Sequence, residues 1–227
     1  PCAPDPTRYA DALDIISRYG VAAPAAVVER LQRGARSEID ETPKPGDPVF
    51  DRVENRVVAT AQLSLQAAAR VFEAAGVRAA ILGDSVTGEA CEVAKVYGAL
   101  ARQVRRHATP FAPPVALVSG GECTVTVRGR GRGGRCAEFL LALGIDLEAE
   151  PQVHALAADT DGIDGSEDNA GAWLAPDTLE RAADAGLSAR EHAARNDAYS
   201  FFAGLDQLVV TGPTRTNVND FRAILIL

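Results

Sequence analysis

Residues 115–135 read Val-Ala-Leu-Val-Ser-Gly-Gly-Glu-Cys-Thr-Val-Thr-Val-Arg-Gly-Arg-Gly-Arg-Gly-Gly-Arg, and this stretch decides the fold class. Val115 to Val118 is a short apolar run that predicts a strand, Ser119-Gly120-Gly121 predicts a turn, and Cys123 to Arg128 alternates as a second strand does. Four glycines interleaved with four arginines follow, and the apolar spacing from Arg135 to Leu147 then predicts a helix.

Working outward, the same alternation of strand and helix recurs on both sides. Upstream, Val57 to Thr60 and Ala79 to Leu82 read as strands, separated by an Ala-rich helix from Ser64 to Ala75 and followed by a helix from Thr87 to Arg106. That βαβα order builds a parallel sheet. Two helices near Asp5 to Gly20 and Pro24 to Leu31 precede a Pro-rich loop from Arg33 to Glu54. Downstream come a strand at Val153 to Ala158, an Asp/Gly-rich loop from Asp159 to Gly171, three helices between Pro176 and Leu205, a strand at Gln207 to Val210, a polar loop and a closing strand from Phe221. The expectation is an α/β chain of two lobes that part in the Pro-rich join His107 to Pro114.

Composition narrows the function classes. The chain has 227 residues, 47% hydrophobic and 24% charged, as a globular protein does. No apolar run approaches the roughly 20 residues of a membrane span, and the start at Pro1 carries no leader pattern. A net charge of −8 argues against a nucleic-acid face. Four cysteines without C-x-x-C spacing predict neither zinc nor a disulfide framework, which fits a reducing cytoplasm.

Three loops after predicted strands hold the unusual residues, at the strand ends where α/β folds place ligands. In the Arg128 to Arg135 loop, glycine N–H groups, a helix N-terminus and arginine forks all suit phosphate. A flexible hairpin with solvated arginines and an RGG-type RNA contact are the competing readings. The loop Asp159-Thr160-Asp161-Gly162-Ile163-Asp164-Gly165 crowds carboxylates that repel by about 4 kcal/mol at 4 Å and an effective dielectric of 20. They must splay into water or meet a cation such as Mg²⁺, or else serve as turn caps. The third loop, Thr211 to Asp220, offers hydroxyl and amide groups without charge, and Ser119-Gly120-Gly121-Glu122 offers backbone that a ligand can approach closely. Neither a Walker-type nor a dinucleotide fingerprint is present.

Taken in order, the Ser119-Gly120-Gly121-Glu122, Gly131-Arg132-Gly133-Gly134-Arg135, Asp159-Thr160-Asp161-Gly162-Ile163-Asp164-Gly165 and Thr211-Gly212-Pro213-Thr214 motifs, the last with Thr216-Asn217-Val218-Asn219-Asp220, resemble the MOFRL domain of the glycerate 2-kinase family. Older members of that family carry the label hydroxypyruvate reductase. The resemblance implies that residues 109–227 are the MOFRL domain and that residues 1–108, with Gly88-Glu89-Ala90, are the end of a Rossmann-like N-terminal domain. It further implies residues upstream of this chain, including a glycine-rich segment and an active-site lysine, and hence a chain that begins mid-protein.

By the same resemblance the reaction is transfer of the γ-phosphoryl group of ATP, with Mg²⁺, to the 2-hydroxyl of D-glycerate. The partners are then glycerate and nucleotide, with no nucleic acid or membrane, and a homodimer is left open. Arg135, Asp159 and Asp161 are the expected catalytic residues, and Asp161 and Asp164 the expected metal ligands. Gly120, Gly121, Glu122, Gly133, Gly134, Thr214, Thr216 and Asn217 are expected to shape the substrate and phosphate pocket. The loops after Arg128, Ala158 and Val210 should therefore converge on one rim. Two residues depart from the family pattern: Cys136 stands where Asn is usual and Cys123 where Thr is usual. The alternatives are a nicotinamide-dependent hydroxypyruvate reductase and a ligand-binding fragment without catalysis.

Overall fold

The computed structural model describes residues 2–227 and divides into two compact units, one ending at Val58 and the other running from Ala59 to Leu227. In the first, helices α1 (Tyr9–Arg18) and α2 (Ala25–Ala35) pack so closely that a Cβ on Gly34 would sit 2.1 Å from the Tyr9 ring. Only glycine fits that crossing. Pro48–Phe50 forms one further turn, whose first N–H groups are met by Asp47.

The second unit holds α3 (Ala61–Ala74), β1 (Arg78–Glu89), α4 (Ala90–His107), β2 (Val115–Thr124) and α5 (Arg135–Leu147). It continues with β3 (Val153–Asp159), β4 (Gly171–Leu174), α6 (Thr178–Asp184), α7 (Ala189–Ala194), α8 (Ala198–Ala203), β5 (Leu208–Val209) and β6 (Asp220–Ile226). The six strands form one sheet in the order β1-β2-β6-β3-β4-β5. Only β1 and β2, joined by the α4 crossover, are parallel, while the other four pairings are antiparallel. The expected parallel sheet is thus mixed.

Alternation along β2 sorts its side chains to two faces. Val115 and Leu117 join the main core with α4, α5, α7 and α8, whereas Ala116 and Val118 meet Leu65 and Phe72 of α3. Helices α4 and α5 are locked by Arg102, which donates to the Asp146 carboxylate at 2.7 Å, and by Gly98, where a Cβ would meet that carboxylate at 2.1 Å.

The compact units part at Val58, and β1 hydrogen-bonds directly to β2 across the join at residues 107–114. Other expectations change. Val57 to Thr60 is no strand: Val57 and Val58 are exposed, and Thr60 caps α3 by accepting from the Leu63 N–H at 3.2 Å. Ser119-Gly120-Gly121 is no turn, since β2 runs straight through it to Thr124 between β1 and β6. Finally, Gly171–Leu174 adds a strand that the Asp/Gly-rich run hides.

Candidate functional site

Antiparallel pairing sets Asp159, the last residue of β3, opposite Asp220, the first residue of β6, and Gly121 of β2 lies on the other side of Asp220. Two carboxylates are therefore neighbours on one rim of the sheet. Arg135 opens α5 beside them and joins them: its Nε donates to Asp220 Oδ1 at 2.6 Å and its Nη2 to Asp159 Oδ2 at 2.6 Å. Glu122 Oε1 lies 3.7 Å from the same Nη2. Behind the rim, fully buried Arg222 donates to Asp220 Oδ2 at 2.5 Å and stacks on Phe139 with its guanidinium carbon 5.3 Å from the ring centre. The result is an alternating chain of charges, Arg222, Asp220, Arg135 and Asp159, that runs from core to surface. Burial disfavours the Arg135 charge, but the Asp220 and Asp159 carboxylates outweigh it and raise the guanidinium above its usual range. Burial likewise raises Asp159, against the pull of the Asp161 N–H and of Arg135.

The acidic loop does not form the expected metal cluster. Asp164 is fully buried, and its two oxygens accept from the N–H groups of Cys136 at 3.0 Å and Ala137 at 2.8 Å. It is the cap of α5, supplied from 28 residues away, because Gly134 at the capping position has no side chain to serve. A Cβ on Gly134 would stand 2.2 Å from Asp164 Oδ1, so that glycine is required by the cap. Burial pushes the Asp164 carboxyl up to about 6, opposed by the two backbone N–H groups. Both Asp164 oxygens are engaged in that cap, inside the fold. Asp161 closes a local turn, accepting from the Ile163 N–H at 2.8 Å, and its other oxygen lies 3.4 Å from Asn217 Nδ2. Among the described residues no group of three or more His, Cys, Asp or Glu is arranged to hold a metal ion.

The Arg/Gly loop is docked rather than flexible, and half of its N–H groups are already used. Asn196 Oδ1 accepts from Arg128 and Gly129, the Arg195 carbonyl from Gly131, and Asp197 from Arg132. Gly129 and Gly131 are needed because a Cβ on either would lie within 2.4 Å of the α7–α8 turn. Among the described residues the N–H groups of Gly133 and Gly134 meet no acceptor. Arg132 stacks on Tyr199 and approaches Glu167 at 3.4 Å, and Arg130 is exposed.

The remaining expected residues fall into two groups. The Thr211 to Asp220 loop packs on the Asp159 loop as expected: Thr214 N donates to the Asp161 carbonyl at 2.9 Å, and Val218 N to Thr160 Oγ1 at 2.9 Å. Thr214, Thr216 and Asn217 are exposed and spend their polar groups on this loop contact. Gly120 and Gly121 lie within the sheet, where a Cβ on Gly121 would lie 2.2 Å from the Val86 carbonyl oxygen and one on Gly120 would lie 3.2 Å from that of Asp220.

A cleft of about 240 Å³ opens beside the rim, walled by Val125, Val127 and Cys123 and floored by α5. Gly133, Gly134 and Arg135 line it as expected, together with Glu138 and Asn196. Cys123 sits where its Sγ accepts from Arg222 Nη2 at 3.0 Å, and burial raises its thiol. Cys136 is fully buried and only its N–H takes part in the cap.

Asp220, Arg222, Glu138 and Asn196 were not among the expected site residues. Arg222 had a signal, being a lone charge in an otherwise apolar closing strand, which must find a partner when buried. Asn196 had none, for its role depends on a left-handed turn 68 residues from its loop partner.

Residues 115–220 match the model of the MOFRL family. Over 225 residues the chain is 34% identical to a glycerate 2-kinase of Pyrococcus horikoshii, covering 96% of this chain and 50% of that protein. The crystal structure of a glycerate kinase from Thermotoga maritima superposes with a TM-score of 0.82 at 31% identity, covering 99% of this chain and 51% of that one. The chain belongs to the glycerate 2-kinase family. Another member of this family, from Agrobacterium vitis, carries the provisional name hydroxypyruvate reductase and is 46% identical over all of this chain and 50% of its own length. The chain thus spans about half the length of the curated relatives it matches.

Proposed function

We propose that this chain contributes the MOFRL part of an ATP-dependent glycerate 2-kinase, which phosphorylates the 2-hydroxyl of D-glycerate to give 2-phosphoglycerate. Residues 109–227 then form the MOFRL domain, and residues 1–108 the end of the preceding domain. The observation that carries the reading is Arg135, clamped on two edges by Asp159 and Asp220 at the mouth of a cleft, with its Nη1 donating to no described residue. Phosphoryl transfer asks a protein mainly for positioning and charge stabilisation. A guanidinium that cannot swing away supplies both.

The residues fit a phosphoryl group in their donors: Arg135, whose Nη1 meets no described acceptor, and Gly133 and Gly134, whose N–H groups meet none, all line the cleft. They fit a divalent cation in charge, because Glu122, Asp159 and Asp220 outnumber Arg135 and Arg222. Mg²⁺ commonly takes only one or two protein carboxylates and completes its shell with water and phosphate. Asp161 Oδ2 is the candidate oxygen and Asp164 is not. When bound, such an ion would neutralise phosphate charge. Four free cysteines support a cytoplasmic setting.

The test is a coupled assay on the purified protein, with D-glycerate and ATP in one arm and hydroxypyruvate and NADH in the other. ATP-dependent formation of 2-phosphoglycerate is expected. NADH oxidation without ATP would replace the kinase by the reductase that the Agrobacterium vitis name suggests. Asp161→Asn should raise the Mg²⁺ concentration needed for half-maximal rate while circular dichroism stays unchanged, and an unchanged requirement would leave Asp161 as a turn residue alone.

A further inference from the structure

Strand β6 turns Asp220, Arg222, Ile224 and Ile226 toward α5, and the two isoleucines belong to the main core. Arg222 is fully buried between that core and the rim. Its register partners are Ser119 on β2 and Ala157 on β3, two small residues that leave room for a guanidinium. There it is gripped on several sides. Nη2 donates to Asp220 Oδ2 at 2.5 Å and to Cys123 Sγ at 3.0 Å, Nη1 approaches the Gly120 carbonyl oxygen at 3.5 Å, and the Phe139 ring centre lies 5.3 Å from the guanidinium carbon. Nε meets no acceptor among the described residues. A buried guanidinium with an unpartnered nitrogen is costly, and apolar residues of similar volume often replace a buried ion pair without loss of stability. Stability alone does not account for Arg222.

What Arg222 does reaches outward. Asp220 Oδ2 is fixed by Arg222 and by the Cys123 N–H at 3.3 Å, so Oδ1 is left facing Arg135 Nε, which donates to it at 2.6 Å. Phe139 follows Arg135 by one turn of α5, so the same guanidinium orders the carboxylate that Arg135 grips and the helix that carries it. Charge acts in the same direction. Arg135 with Asp159 and Asp220 alone would carry an excess negative charge and repel an incoming phosphoryl group. Arg222 offsets one of those carboxylates from a place where no solvent screens it. It does not line the cleft itself.

Resting on the kinase reading for the reaction itself, we propose that Arg222 is a positioning residue for phosphoryl transfer, which acts through Asp220 to fix the direction and the charge balance of Arg135 and touches no substrate. Without it Arg135 would still be present and charged, but free to turn between Asp159 and Asp220.

Two measurements on the purified chain test this, and the first needs no turnover. In ¹H–¹⁵N spectra the Arg135 Nε–H, identified by its loss in Arg135→Lys, should exchange slowly with water in the wild type because Asp220 holds it. Arg222→Lys keeps the charge but neither the planar fork nor the stacking on Phe139, and it should speed that exchange about tenfold or more with the circular dichroism spectrum unchanged. The same variant should lower kcat for D-glycerate phosphorylation about tenfold while KM stays within about twofold, and combined with Arg135→Lys it should lower kcat no further than Arg135→Lys does alone. A residue that only stabilised the fold would instead add its loss to that of Arg135→Lys. Should Arg222→Lys not fold, Arg222→Gln, an uncharged donor, should give both effects. An Arg135 Nε–H that exchanges freely in the wild type, exchange or kcat unchanged by the substitution, losses that multiply in the double variant, or failure of both variants to fold overturns the proposal. Faster exchange in a protein with no ATP turnover would remove the kinase reading and leave Arg222 as the residue that holds Arg135 in place.

Discussion

Arg130 and Arg135 stand five positions apart in one glycine-rich loop, yet Arg130 lies exposed in solvent while Arg135 holds two carboxylates at 2.6 Å each. The outer part of the loop, Arg128 to Arg132, is tied down through its backbone to Asn196, Arg195 and Asp197, with the Arg128 and Arg130 side chains exposed and that of Arg132 resting on Tyr199. The inner part, Gly133 to Arg135, keeps free N–H groups and turns its arginine inward. Both parts are built of arginine and glycine alone. What differs is the carboxylate pair that sheet pairing delivers to one end only, and a charge matters in proportion to how far its partners are withdrawn from water.

The most severe way to break this contrast is to remove the shared carboxylate. Asp220→Ala leaves buried Arg222 without its counter-charge and frees the Nε side of Arg135, and it should destabilise the fold by about 3–5 kcal/mol, read as a shift in the urea midpoint. A loss below about 1 kcal/mol would mean that the chain of charges carries little of the rim. Next comes Arg135→Lys. Lysine, a point charge on a flexible stem, cannot bridge Asp159 and Asp220 while presenting a donor to the cleft. We expect kcat for D-glycerate phosphorylation to fall by the equivalent of about 2–4 kcal/mol with a smaller change in KM. A rise in KM alone would make Arg135 a ground-state binder.

Asp164 sharpens the comparison from the other side of α5. Its folded-state pKa of about 6 lies above the usual 3.8, so between those pH values the folded protein holds a proton that the unfolded chain has released. This group's contribution to stability is complete below pH 3.8 and is lost as pH rises through about 6. Asp164→Asn should remove that slope, worth of the order of 2–3 kcal/mol, from urea melts run at pH 4 to 7. An unaltered slope would place the titration elsewhere. The smallest effect belongs to Arg130→Lys, which should change neither stability nor kcat by more than about 0.5 kcal/mol. Equal losses from Arg130→Lys and Arg135→Lys would turn the loop into one diffuse basic patch and end the distinction.

Much of the chain was legible in its residues alone. Apolar spacing marked α5 and β3 to within a residue or two, because their buried faces are long and unbroken. The three helices between Pro176 and Leu205 were legible too, and Ser188 caps α7 by accepting from the Glu191 N–H, a contact local in sequence. Family motifs located the rim loops and Arg135. Glycine was misread where its reason is a distant neighbour: Gly120 and Gly121 looked like a turn and are strand residues pressed against Val86 and Asp220.

The residues by themselves therefore determined which segments become helices and strands and which loops gather at their ends, as local periodicity and turn chemistry act over a few positions. Only the tertiary structure decided which polar group meets which. Asp164 became a helix cap through N–H groups 27 and 28 residues away, and Asp220 the centre of the charge chain through Arg135, 85 residues away. The reason is physical: a carboxylate's role is set by the donors within about 3 Å of it, and spacing in sequence carries no record of those once strands pair across the sheet.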